Sequence, residues 1–266
     1  MLDRTKKALR SWLFSDLYAV DRTDERSILD LIEKLRPQDC GVDLIRVGGN
    51  GDGGYLIPDD LAGIEYCFSP GVGDVTGFED ALADRGIRSY LADYSADLPA
   101  IHRPEFVFDK KYLAAADREI YFTLKTWKDK YLGDYAGDLL LQMDIEGTEY
   151  EVILNTPESL LNQFRIVVIE FHFLDRLLDP FAFNLISSCF EKLLDSFYVV
   201  HLHPNNCCRT VTIGAAEIPK EMEFTFFRRT RAREVKPQIE FPHRLDADNV
   251  PHLAPLALPK CWYARE

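Results

Sequence analysis

The chain has no run of ~18 consecutive apolar residues, which excludes a membrane-spanning helix from the reading. Basic residues are in the minority, with 31 Lys and Arg against 44 Asp and Glu and a formal net charge of -13. That balance excludes a sequence-independent nucleic-acid surface, which needs a basic field, but leaves room for a local basic pocket. None of the six cysteines forms a CxxC pair. They read as reduced thiols of a cytoplasmic protein, and the adjacent Cys207 and Cys208 read first as packing thiols, with a redox pair as the alternative. The opening MLDRTKKALRSWLF lacks the apolar core of a secretory signal. Internal repeats and low-complexity tracts are also missing.

What is present suits one α/β domain. At 266 residues and 47% hydrophobic, the chain can bury a full core. The spacing of Leu9, Trp12, Leu13 and Leu17 predicts one helix, and that of Ile28, Leu31, Ile32 and Leu35 a second, stopped by Pro37. Together they predict a helical cap over 1–40, with Lys6, Lys7 and Arg10 as the alternative basis for a membrane-surface contact. LIRVGGNGDGGYLIP reads as a hairpin around a glycine-rich loop, which could also cradle a ligand. From Glu65 strands and helices alternate: IEYCFS, RSYLAD, EFVFD, DLLLQMD, FRIVVIEFH, FYVVHLH and EFTFFRR are the strands. Apolar strands separated by helices predict a mostly parallel sheet covered on both faces. Thr156 is expected to cap a helix with Pro157 at its first position, and Asp179-Pro180 to open another reaching about Ser196. The expected domain spans 41–235, and 236–266 is an irregular extension packed on it.

Two sites follow from the strand ends, where ligands of such sheets bind. The first strand runs into FSPGVGDVTGFED, where Gly71 and Gly73 allow a tight turn close to a ligand. Asp93, ending the second strand, suits a ribose diol. The third glycine is Gly77, misplaced for GxGxxG, and Asp74 and Glu79 would repel a pyrophosphate. A cationic cofactor, S-adenosylmethionine, fits better than NAD; a plain strand-helix turn is the bland alternative. The second site gathers Asp144, Glu170 with His172, and His201 with His203, at the ends of strands four, five and six. Asp144, Glu170 and His172 could hold Mg²⁺ or Mn²⁺, and without a metal His172 or His203 would be the base. Glu146 and Glu149 have a bland role as acids at a helix N-terminus. FTFFRRTRAR places Arg228, Arg229, Arg231 and Arg233 on an edge strand, or in a clamp for an anionic acceptor.

LLLQMDIEGTEYEVI resembles the DxEGxE signature of FkbM-type methyltransferases, and FSPGVGDVTGFED their glycine-rich first motif. GDGGYLIP and VVHLHPNN are similar to segments of a related bacterial branch, and the resemblance covers roughly 46–229. It implies a Rossmann-like class I methyltransferase sheet that binds S-adenosylmethionine through Ser69, Gly71, Gly73, Asp74 and Asp93. Ser69 stands where the family carries an acid, and Asp74 takes over part of that role. The implied reaction is O-methylation of a sugar or glycan hydroxyl, with Asp144, His172 and His203 as catalytic residues and a divalent cation assisting. The acceptor could be anionic, and self-association is left open. The alternatives are an NAD-dependent sugar-modifying enzyme and a non-catalytic ligand-binding relative. The former is weakened because Tyr131 leads to Asp134 and Tyr135 rather than to a Tyr-x-x-x-Lys pair.

Overall fold

A computed structural model describes residues 21–96 and 103–264. The first expected helix, with Lys6, Lys7 and Arg10, lies outside the described residues. The second is present as α1 (Glu25–Lys34), opened by the Asp24 carboxylate accepting from the Ser27 N–H at 2.9 Å. Ile28, Leu31 and Ile32 bury its inner face, as their spacing predicts.

The central sheet has seven strands: β1 (Tyr66–Pro70), β2 (Arg88–Ala92), β3 (Phe106–Asp109), β4 (Leu139–Met143), β5 (Phe164–Phe171), β6 (Phe197–Pro204) and β7 (Met222–Arg228). Their order across the sheet is β3-β2-β1-β4-β5-β7-β6. β7 runs antiparallel to both neighbours, and the other six strands share one direction. This is the expected Rossmann-like, mostly parallel sheet with helices on both faces. β4 and β5 are buried at every position, which explains why they are apolar except at Gln142, Arg165 and Glu170. Each fully buried Val, Ile or Leu there contributes roughly 1.5–3 kcal/mol.

The connecting helices are α2 (Gly77–Ala83), α3 (Leu124–Leu132), α4 (Glu149–Asn155), α5 (Glu158–Leu161) and α6 (Pro180–Ser196). One core cluster joins α1, α3, α4 and α6 to one face of the sheet. The other joins α2 and a hairpin, Leu44–Val47 paired with Tyr55–Pro58, to the opposite face. The Asp179 carboxylate caps α6 as expected, accepting from Ala182 N. Thr156 does not open a helix. Its hydroxyl bonds backward to the Val152 carbonyl at 2.7 Å, so it closes α4, and Pro157 is the N-cap of α5.

The arginine cluster departs from both readings. β7 lies between β5 and β6, so it is no edge strand. Because it is reversed, its C-terminal residue Arg228 sits opposite Phe197, the first residue of β6, at the far end of the sheet from Asp144 and Glu170. Arg228 pairs with Asp138 at 2.7 Å, and Arg231 grips Asp60 with two nitrogens at 2.6 and 2.7 Å. Arg229 bonds the Leu194 carbonyl and lies over the Tyr198 ring. Three of the four expected clamp residues therefore hold the protein's own chain together. Residues after β7 are largely irregular. Lys236–Pro237 pairs with Gln38–Asp39, and Trp262 is fully buried.

Candidate functional site

The C-terminal ends of β1 and β4 and the hairpin loop bound a cleft of ≈ 200 Å³. Its walls include Tyr55, Gly71, Gly73 and Gln142, and five acids: Asp52, Asp74, Glu79, Asp144 and Glu146. No lysine or arginine lines it. The two glycines do different work. At Gly71 (φ +83) a Cβ would lie 1.4 Å from the Asp144 carbonyl oxygen, so this glycine lets β1 and β4 end side by side. At Gly73 (φ +49) a Cβ would meet nothing within 4 Å, leaving the backbone open to a ligand. Asp93 sits behind this turn. Its carboxylate accepts from Gly73 N at 3.0 Å, Ser95 N, Ser95 Oγ and Ala96 N. Burial alone would raise its pKa, but these hydrogen bonds hold it below the ordinary value.

Ser69 corrects the reading. It is fully buried and does not line the cleft. Its hydroxyl donates to Glu79 and lies 2.5 Å from Gln142 Oε1, while Gln142 Nε2 donates to the Tyr55 hydroxyl at 3.1 Å. An acid therefore reaches the end of β1 from α2: Glu79 is 2% exposed, and burial pushes it up to about 7.

The second expected site lies alongside. His172 follows β5, and its Nδ1 lies 3.0 Å from Glu149 Oε1. Its Nε2 faces Asp144 Oδ1 at 3.7 Å and Glu146 Oε2 at 3.6 Å. Glu149 is no exposed helix-end acid: it is 0% exposed, and the same Oε1 takes the N–H groups of Ile145 and Gly147. It orients the imidazole. Burial alone would lower the His172 pKa, but the hydrogen bond and charge of Glu149, with Asp144 and Glu170 nearby, raise it to about 9. Burial, then the Glu170 charge, pushes Asp144 up to about 8.

The donors expected to share one cation fall into two groups that overlap at His172. Asp144, Glu149 and His172 form one; Glu170, His172 and Glu221 form the other, each with donor atoms within 4.8 Å of one another. Asp144 Oδ1 is buried without a hydrogen-bond partner, an acceptor that a cation would satisfy.

His203 belongs to a separate neighbourhood. Glu170, Glu223 and His203 stand in register across β5, β7 and β6. Asn205 donates to Glu170 and Asn249 to Glu223, each at 2.7 Å. Burial raises Glu170 to about 7 and Glu223 to about 8. Asp246, from the segment after β7, bonds His201 Nε2 at 2.8 Å and lies 3.8 Å from His203 Nδ1. Arg46 ties the hairpin loop to this segment through the carbonyls of Gly49, Gly51 and Leu245. Asp246, Asn249, Glu223 and Arg46 escaped the sequence reading. Glu149 was legible in the DIEGTEYE motif.

No family model matches the sequence, and a search of curated proteins found no match. Three solved structures show a distant likeness. A fibrillarin/Nop5p complex chain is 12% identical, with 63% of this chain and 74% of that chain covered and a TM-score of 0.36. A DNA modification methyltransferase encoded within a prophage (E. coli) is 10% identical, with 69% and 52% covered and a TM-score of 0.43. Mitomycin 7-O-methyltransferase MmcR is 12% identical, with 75% and 53% covered and a TM-score of 0.26. This chain spans about half the length of the last two.

Proposed function

We propose that the protein is an S-adenosylmethionine-dependent O-methyltransferase of the FkbM type, acting on a hydroxyl of a sugar or glycan. The observation that carries the reading is the cleft beside the glycine turn, lined by five acids and no base. A sulfonium and an ammonium suit that field, and the pyrophosphate of NAD does not. Gly73 offers the open backbone approach, Asp93 fixes the turn, and Asp74 supplies negative charge, joined by Glu79 above about pH 7.

When bound, S-adenosylmethionine supplies an electrophilic methyl carbon on positive sulfur. An acceptor hydroxyl would attack that carbon and displace the neutral thioether, and its proton would have to leave. His172, aimed by Glu149 with Nε2 toward Asp144 at 3.7 Å, is placed to take that proton in its neutral form, so methyl transfer should rise as pH approaches about 9. His203 lies 3.8 Å from Asp246 in the adjoining cluster, and we assign it to shaping the acceptor's surroundings. As the alternative to that base role, Asp144 and His172 would hold a divalent cation, with Glu170 beside them, and the ion would acidify the hydroxyl in place of the imidazole.

Two measurements test this. Calorimetric titration should show S-adenosylmethionine binding and no NAD binding. Labelled methyl transfer to a panel of saccharides should then be lost in Asp144→Asn with cofactor affinity retained. NAD binding, or cofactor binding without transfer to any hydroxylated acceptor, would sink the proposal.

A further inference from the structure

The chain leaves β6 through Asn205-Asn206-Cys207-Cys208. Asn205 Oδ1 accepts from Cys207 N at 2.9 Å and fixes the turn. Cys207 Sγ then lies 2.8 Å from Cys208 Sγ and 2.8 Å from Glu221 Oε2. Glu221 comes from the other side of the excursion, just before β7. All three donor atoms fall within 4.8 Å of one another, Cys207 is exposed, and the other two residues are half-buried. Neighbouring Cα atoms are only ~3.8 Å apart, below the usual span of a disulfide, so two sulfurs on adjacent residues favour a shared ligand over a bond to each other. Two thiolates and a carboxylate on one spot repel unless protons or a cation lie between them.

We propose that Cys207, Cys208 and Glu221 form a binding site for a thiophilic divalent cation of the zinc class. Two sulfurs and one oxygen match its borderline-soft preference and mismatch Mg²⁺, which takes oxygen donors. Three protein donors leave the fourth tetrahedral position for water or a ligand. The ion joins the end of β6 to the start of β7, pinning the excursion that holds the small hairpin Thr210–Ile213 and Ala216–Pro219. It also lies next to the acid–base cluster. Asn205 bonds both Glu170 and the Cys207 backbone, and Glu221 is within ligand distance of Glu170 and His172 as well. The site does not depend on the methyl-transfer reading.

The test uses the reduced, metal-free full-length protein. Titration with Co²⁺ should produce a near-ultraviolet thiolate-to-cobalt band that saturates at one equivalent and is displaced by Zn²⁺. Cys207→Ser and Cys208→Ser should each remove most of that band. Each should also weaken Zn²⁺ at least about tenfold in competition with a chromogenic chelator. Far-ultraviolet circular dichroism should be unchanged, since Cys207 is exposed and Cys208 only half-buried. Asp144→Asn should keep the band. Absence of a thiolate band, or undiminished Zn²⁺ affinity in the Cys207→Ser/Cys208→Ser double variant, would overturn the site. Loss of binding only in Asp144→Asn would assign the ion to the acid–base cluster instead.

Discussion

Glu149 and Glu79 show how much of the chemistry rests on single buried acids. Glu149 is the only group on His172 Nδ1 in the bonding pattern described, so it fixes which nitrogen faces Asp144. Glu149→Gln keeps an acceptor for the Ile145 and Gly147 N–H groups but removes the charge. Turnover in the methyl-transfer assay should fall on the order of 10²-fold, with S-adenosylmethionine affinity within about twofold. An unchanged kcat would remove Glu149 from the mechanism. Glu79 allows a stability test with a definite sign. Its folded pKa, about 7, exceeds the ordinary 4.5, so the folded state binds the extra proton. That contribution is complete below pH 4.5 and is lost as pH rises through 7. Glu79→Gln, permanently neutral and still able to accept from Ser69, should gain on the parent by up to about 3 kcal/mol at pH 8 and little at pH 4.5. Urea unfolding at both pH values measures this, and parallel curves for the two proteins would refute it.

Among elements, the turn after β1 separates fold from binding. Gly71→Ala drives a methyl into the Asp144 carbonyl, so it should destabilise by several kcal/mol or prevent folding. Gly73→Val meets open space and should retain the fold, with roughly 1–2 kcal/mol of backbone strain, while abolishing cofactor binding. Equal effects of the two on stability would mean the turn is misread. The strands, α1, α6 and the hairpin were legible because burial writes its period into the sequence. The direction of β7 was not, since alternation reads the same from either end of a strand. That one reversal moves Arg228 to the opposite end of the sheet. Arg229→Ala is accordingly expected to leave acceptor KM unchanged even at low salt, and a raised KM would restore the clamp. The position of Glu149 at the head of α4 was visible, but its inward side chain depends on the left-handed turn at Glu146 and Gly147, which no periodicity records.

For the whole molecule, the open question is whether 236–266 is an ornament on the domain or part of it. Its described part, 236–264, has almost no regular structure, so its sequence offered no pattern, yet it contacts the sheet at several points. Asp246 bonds His201, Asn249 bonds Glu223, and Asn206 exchanges two hydrogen bonds with Val250. Farther on, Trp262 is 0% exposed and its indole N–H donates to the Glu217 carbonyl at 2.8 Å. It also packs against Phe224 of β7 in an edge contact. These ties cover buried polar groups at the ends of β6 and β7, so removing them would expose an unpaired carboxyl and two histidines. Trp262→Ala should therefore cost about 3–5 kcal/mol. The unfolding transition should stay single, because the tryptophan sits in the same core cluster as β5, β7 and α1. Ending the chain at Val235 should destabilise it further and lower soluble yield. Trp262→Ala can be followed by urea unfolding, read by far-ultraviolet circular dichroism and by tryptophan fluorescence. Coincident curves shifted to lower urea are expected. Two separated transitions, or a truncated protein as stable as the full chain, would show that the segment is a dispensable appendage.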